Sequence, residues 1–240
     1  MNNIKKTQNL DWTNELITKF WDYQSLKPEK YFTTMHGKKI VDFFDKYVDR
    51  GSHVLDYACG TGALTKSLLE IGFIVSSTDL SDASVDAVQQ EFNINPAFKG
   101  AFNSNNFKDF NHKVDATLLV EIVEHVDNVA LTSILSNIYS ALSSSGLVLI
   151  TTPNNENLDN ETVYCPCCEN SFHRWQHVRS WSSDSLSLYL IKHGFKVILT
   201  KEIDFALNKD LGVLRYYIKT AINKFYRKKL PNLIIIAQKQ

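Results

Sequence analysis

The sequence predicts an α/β fold in which a mainly parallel sheet is covered by helices on both faces. Three observations carry this expectation. Short apolar runs alternate along the chain with segments of helical period, an order that implies right-handed crossovers between neighbouring parallel strands. The first such run ends in a glycine-bearing turn, CGTG, immediately before a helical segment. The chain has 240 residues, 44% of them hydrophobic, which is enough to bury one substantial core in a single domain.

The elements follow in order. Residues 11–24 (DWTNELITKFWDYQ) and 36–50 (HGKKIVDFFDKYVDR) carry apolar residues at helical spacing and are separated by Lys27 and Pro28, so residues 1–50 are expected to form an N-terminal helical cap. HVLDYA (53–58) reads as a strand, and ALTKSLLEIG (63–72) as a helix stopped at Gly72. FIVSSTDLS (73–81) is a second strand, and Ser81 can cap the helix 81–92 by accepting from a free backbone NH. A weaker strand falls at 96–102. Beyond it VDATLLV (114–120) is a buried strand, 128–142 an amphipathic helix, GLVLITT (146–152) a strand, 183–194 a helix, and 195–203 and 233–238 the last strands. Residues 153–181 and 207–230 resist the alternation, and the chain has no internal repeat.

Composition narrows the function classes. The 26 basic residues balance 26 acidic ones, so no global field draws the protein to nucleic acid or anionic lipid. The start of the chain lacks a secretory pattern, and no apolar run approaches a membrane span, so a cytoplasmic location and no transmembrane segment are expected. In a reducing compartment the crowded Cys165, Cys167 and Cys168 suit metal ligation better than disulfides, whereas Cys59 reads as a small buried filler.

Gly60 and Gly62 let the backbone approach a ligand closely. The third glycine of a GxGxxG dinucleotide fingerprint is missing, which counts against NAD or FAD. Acids stand instead at the first two strands: Asp56 in VLDYACGTG, and Asp79, whose carboxylate can accept from both hydroxyls of a ribose. In these residues the chain resembles the class I S-adenosylmethionine-dependent methyltransferases over roughly residues 50–200. That resemblance implies a Rossmann-like fold with a seven-stranded sheet, a cofactor-binding core over 51–152, and S-adenosyl-L-methionine as cofactor. It implies that Asp56, Gly60 and Gly62 surround the methionine moiety and that Asp79 holds the ribose, with Tyr57, Ala58, Leu80 and Val120 completing the set. The position usually acidic beside adenine falls at Asn103 and Ser104, where this sequence departs from the pattern.

EIVEHV brings Glu121, Glu124 and His125 to the edge where acceptor should meet cofactor. Methyl transfer is an in-line displacement that needs a positioned nucleophile and a group to take its proton, a role suited to His125 helped by Glu124. Small-molecule O-methyltransferases, including those of ubiquinone biosynthesis, have a similar EHV. A second, partial resemblance joins ExxEH, TTPNNE and His177 four residues before Trp181 to the metal-dependent small-RNA 3′-terminal 2′-O-methyltransferases. By it, Glu121, Glu124, His125 and His177 would hold a divalent ion such as Mg or Mn.

Residues 153–181 form the expected Cys/His-rich insertion, following the strand at 146–152. Cys165, Cys168, His173 and His177 have the spacing C-x2-C-x4-H-x3-H, which resembles a zinc knuckle. Three arrangements stay open: a structural zinc in a substrate lid, His177 turned toward a catalytic ion, and a metal-free loop. Arg174 and Arg179 could hold a phosphate or carboxylate, with ordinary surface solvation as the alternative. Residues 182–240 complete the sheet and include a basic helix over 211–229 that could touch lipid or RNA. The expected activity is methyl transfer to an oxygen of a small-molecule acceptor, plausibly a sugar or phosphorylated metabolite. RNA 3′-terminal methylation and a non-catalytic zinc-knuckle module are the alternatives.

Overall fold

A computed structural model describes residues 8–207 and 229–240. In chain order the elements are β1 (Gln8–Asn9), α1 (Asn14–Ser25), α2 (Phe32–Phe44), β2 (His53–Tyr57), α3 (Ala63–Ile71), β3 (Ile74–Asp79), α4 (Asp82–Phe92), β4 (Phe98–Asn103) and β5 (Val114–Val120). They continue with α5 (Asn128–Ala141), β6 (Leu142–Pro153), β7 (Thr162–Tyr164), β8 (Asn170–His173), α6 (Ser183–Lys192), β9 (Phe195–Ile203) and β10 (Asn232–Lys239). The main sheet has seven strands in the order β4-β3-β2-β5-β6-β10-β9.

Every pairing from β4 to β6 is parallel, and β10 runs antiparallel to both of its neighbours. The chain steps outward from β2 to β4 on one side, then restarts at β5 on the other. The crevice beyond the carboxyl ends of β2 and β5 is therefore the place where a sheet of this kind receives its ligand.

Burial on both faces explains the apolar runs: β5 is buried at six of its seven positions, and β2 at its last four. One face of the sheet packs α2, α3 and α4 through Ile40, Phe44, Leu64, Leu68 and Val88. The other packs α5 and α6 through Leu131, Leu135, Ile138, Leu186 and Leu190. Ser81 caps α4 as expected, its Oγ accepting from Ser84 N at 3.3 Å. The helix expected over 36–50 instead ends at Phe44, and the chain turns there through Asp45, whose carboxylate accepts from Arg50 Nε and Nη2 at 2.9 and 2.8 Å.

A second, three-stranded sheet, β1-β8-β7, was not expected. Its strands have two to four residues and none of the apolar alternation from which a strand is read. Among the described residues no helix is long and apolar enough to cross a membrane. Of the expected basic helix, residues 211–228 lie outside the described residues.

Candidate active site at the carboxyl edge of the sheet

The glycine loop is built by backbone conformation. Ala58, Gly60 and Gly62 all have positive φ, at 63°, 51° and 78°. A Cβ on Gly62 would lie 3.0 Å from Val88 Cγ2 and 3.1 Å from Phe92 Cε2, so the loop's fit against α4 also requires glycine. Asp79 closes the loop: its Oδ2 accepts from Gly60 N at 2.8 Å and its Oδ1 from Ser81 N at 2.9 Å. A carboxylate has about four acceptor sites, so both oxygens can still receive hydroxyl donors.

Asp56 has a different place from the one expected. It lies beneath the loop, 2% exposed, accepting from Thr65 Oγ1 at 2.7 Å, while that hydroxyl also meets Ser77 Oγ at 2.8 Å. Burial pushes its pKa up to about 7. It braces the loop from below, since every contact it makes is inside the fold. Tyr57 likewise turns inward, its ring beside Phe107 and its hydroxyl accepting from Asn137 Nδ2 at 3.2 Å. Only its backbone faces the crevice region.

Asn103 is occupied locally, with its Nδ2 donating to Leu80 O and Asp82 Oδ1 and its Oδ1 accepting from Asn105 N. Ser104 begins the short 3-10 helix that follows. Leu80 is 60% exposed beside them, an apolar surface where the expected acid is missing. Val120 is buried at the end of β5, and Cys59 is buried as anticipated.

At the end of β5 the chain enters the acid and imidazole cluster through Glu121, whose φ is 54°. Thr151 Oγ1 donates to Glu121 Oε1 at 2.8 Å and Thr152 Oγ1 to Glu124 Oε2 at 3.0 Å, both from the adjoining β6. Burial pushes Glu121 up to about 7, and burial with the Glu121 charge pushes Glu124 well above the usual carboxylate range. Burial, aided by His177, drives His125 down to about 3. That imidazole is therefore neutral at physiological pH.

The segment after β8 folds over this cluster. Val178 N donates to Glu124 O at 2.9 Å, Gln176 Nε2 to His125 O at 3.0 Å, and Trp181 Nε1 to Val123 O at 3.0 Å. His177 thereby reaches the same space as Glu124 and His125, and one ligand atom from each of these three lies within 4.8 Å of the others. Glu124 Oε1 and His125 Nδ1 are buried without hydrogen-bond partners.

Glu156, His173 and His177 form a second such group. The hydrogen bonds assign its tautomers. His173 Nδ1 accepts from the backbone of Trp175 and His177, at 3.3 and 3.2 Å, so its proton sits on Nε2, 3.4 Å from Glu156 Oε1. His177 Nδ1 lies 2.5 Å from Glu156 Oε2 and donates to that carboxylate, so Nε2 is the ring nitrogen that the neutral imidazole can offer to a metal. Glu156 and His173 thus orient His177, as outer residues orient a metal-bound histidine.

The expected Cys2His2 set is not assembled. Cys165, Cys167 and Cys168 lie at the β7–β8 hairpin tip, while His173 ends β8 and packs against Glu156 and His177. The length of an extended strand separates tip from base, and no group of three ligands among the described residues includes a cysteine. Arg174 pairs with Glu161 at 3.1 Å, and Arg179 donates from Nη1 to Asn128 Oδ1 at 2.7 Å while its Nε is buried without a partner. The N-terminal helix adds an element that sequence reasoning missed: Trp21 meets His125 edge-on with ring centroids 5.0 Å apart. Tyr31 overhangs Gly60, its Cε1 3.8 Å from where a Cβ would stand. Aromatic residues on the cap were the signal, but which strand edge they cover is a long-range matter.

Comparison with known proteins gives three findings. A family described as methyltransferase domain matches residues 29–200. The chain is 22% identical over 134 residues to the mitochondrial ubiquinone biosynthesis O-methyltransferase of Schizosaccharomyces pombe, an alignment covering 52% of this chain and 48% of that one. It thus spans about half the length of that curated relative. Among solved structures, a SAM-dependent methyltransferase from Archaeoglobus fulgidus superposes with a TM-score of 0.61 at 19% identity, covering 91% of this chain and 100% of the other. The Burkholderia thailandensis 1,6-didemethyltoxoflavin-N1-methyltransferase, solved with bound 1,6-didemethyltoxoflavin and S-adenosylhomocysteine, superposes with a TM-score of 0.66 at 15% identity, covering 98% of this chain and 93% of the other. At these identities the two structures are likenesses of fold.

Proposed function

This chain belongs to the methyltransferase-domain family, and from that premise we propose that it transfers the methyl group of S-adenosylmethionine to a hydroxyl oxygen of a small molecule. One observation carries the reading: the glycine loop with Asp79 and the cluster of buried Glu124 with the partly buried Glu121, His125 and His177 lie along one edge of the sheet. The curated O-methyltransferase relative supports oxygen as the acceptor atom. Nothing in the relatives favours a sugar or phosphorylated acceptor, and Arg174 is paired with Glu161.

The residues present fit a divalent cation. Glu124 and His125 offer partnerless buried atoms, His177 offers its Nε2, and Glu121 lies against Glu124. Buried carboxylates of this density need either protons or a cation. The mixed oxygen and imidazole set suits Mn, Mg, Fe or Zn.

S-adenosylmethionine, when bound, supplies a methyl group on a sulfonium sulfur, and a divalent ion, when bound, lowers the pKa of an adjacent hydroxyl. The chain's residues do the rest. Asp79 and the loop hold the adenosyl part, and Glu124, His125 and His177 fix the acceptor side. As the new carbon–oxygen bond forms and the carbon–sulfur bond breaks, the hydroxyl proton passes to Glu121, the carboxylate beside Glu124 at the end of β5. Trp21 and the 173–181 segment exclude water from the cluster.

The test is to incubate the protein with methyl-labelled S-adenosylmethionine and phenolic, catecholic and aliphatic alcohol acceptors, with and without a chelator. Label should appear on a small-molecule hydroxyl and fall in Glu124→Gln. A second reading, 2′-O-methylation at an RNA 3′ end, is favoured by the grouping of Glu124, His125 and His177 alone. Label confined to RNA would choose it. Cofactor binding with no transfer to any acceptor would reduce the protein to a binding module.

A further inference from the structure

The cysteine hairpin is left without a role by the active site. Its tip has a defined geometry: Cys165 N donates to Asn170 O at 2.9 Å, closing the turn that holds Cys165, Cys167 and Cys168 between β7 and β8. Glu169, directly after the last cysteine, has φ 56°, the left-handed conformation that curls the chain back into β8. A C-x2-C pair at such a hairpin turn offers two of the four ligands of a tetrahedral thiolate site.

Among the described residues nothing supplies the other half. No group of three ligands among the described residues includes a cysteine, and residues 1–7 and 208–228 contain no cysteine or histidine in the sequence. Cys59 is buried in the core. Yet the tip faces outward: Cys167 and Cys168 are exposed, and so are Val163 and Tyr164 on β7, the edge strand of the small sheet. An open edge with exposed apolar residues suits a second copy of the same edge.

We propose that Cys165 and Cys168 of two copies of this chain together hold one zinc ion, with a two-fold axis through the metal, so that the hairpins join the protein into a dimer. Four thiols lose their protons to solvent as the four zinc–sulfur bonds form. Cys167, between the two ligands, stays outside the set. The site is separate from the acid and imidazole cluster and does not depend on its function.

Purified full-length protein is loaded with zinc, and its mass in solution and zinc content are measured with and without chelator. A dimer is expected that becomes monomer on chelation, and the zinc it holds beyond that of Cys168→Ser should amount to one ion per two chains. Cobalt in place of zinc should give the absorption of a tetrahedral four-thiolate site. Cys165→Ser and Cys168→Ser should each yield a monomer that has lost this zinc, Cys167→Ser should not, and Glu124→Gln should leave the dimer intact. S-adenosylhomocysteine binding checks that each variant is folded. A monomer carrying its own cysteine-bound zinc would overturn the proposal. So would a monomer that binds no zinc at the cysteines, or a dimer indifferent to chelation and to Cys168→Ser.

Discussion

Trp21 Nε1 donates to Gln176 Oε1 at 3.0 Å, joining the N-terminal helix to the segment that carries His177 across 155 positions of sequence. Gln176 is 1% exposed and itself donates to the backbone of His125, so one amide fastens both covers of the cluster. Trp21→Phe keeps an aromatic ring beside His125 but removes the hydrogen bond and part of the indole's packing. It should cost about 1–2 kcal/mol through the unpaired Gln176 oxygen, read as a lower midpoint in thermal unfolding. Acceptor KM should rise more than cofactor Kd; equal changes in both would mean the helix does not cover the acceptor side.

Asp79 is the one carboxylate fastened to the glycine loop from its far side, through Gly60 N. Asp79→Ala removes two backbone hydrogen bonds and the acceptor for ribose hydroxyls. Affinity for S-adenosylhomocysteine should fall by at least about 10-fold, as the loss of one charge-assisted bond of roughly 1.5–3 kcal/mol implies. Unchanged affinity in calorimetry would remove Asp79 from the cofactor site.

Gly62→Ala combines a left-handed backbone with a Cβ pressed on Val88 and Phe92. A loss of about 1–3 kcal/mol in denaturant unfolding is expected, together with weaker cofactor binding, because α4 must shift to admit the methyl group. Gly72 also has positive φ but meets nothing within 4 Å, so Gly72→Ala should show the backbone cost alone and keep cofactor affinity.

Metal dependence separates the readings of the acid cluster. Glu124→Gln and His177→Ala should each lower turnover by roughly 100-fold or more while S-adenosylhomocysteine still binds, since they touch the acceptor side only. Glu156→Gln should lower divalent-ion affinity by about 10–100-fold, because Glu156 orients His177. An activity untouched by chelator would return the chemistry to the carboxylates alone.

Asp56 predicts a pH effect on stability. Its pKa is raised by burial from 3.8 to about 7 in the folded protein, so the native state holds a proton that the unfolded chain releases. The stabilising contribution is complete below the unfolded value and is lost as pH rises through about 7. Asp56→Asn keeps an oxygen for the Thr65 hydroxyl and cannot ionise. Between the two pKa values its unfolding free energy should therefore depend less on pH than that of the unmodified protein, which paired denaturation curves would reveal.

Strand and helix identity was local information. VDATLLV became β5 residue for residue, and Ser81 caps α4, because buried parallel strands and helix starts impose their own residue patterns. The glycine loop and Asp79 were equally legible, since few sequences other than a ligand loop place left-handed glycines and an acid at consecutive strand ends. The sequence alone could not orient β10, because antiparallel and parallel strands share one apolar pattern. Nor could it divide the ligand set: C-x2-C-x4-H-x3-H reads as one unit, but β8 carries its cysteines outward and its histidines to Glu156. Spacing fixes how far apart two side chains can be. Which of them converge was decided by packing, where Val178 on Glu124 and Trp181 on Val123 draw His177 onto the end of β5.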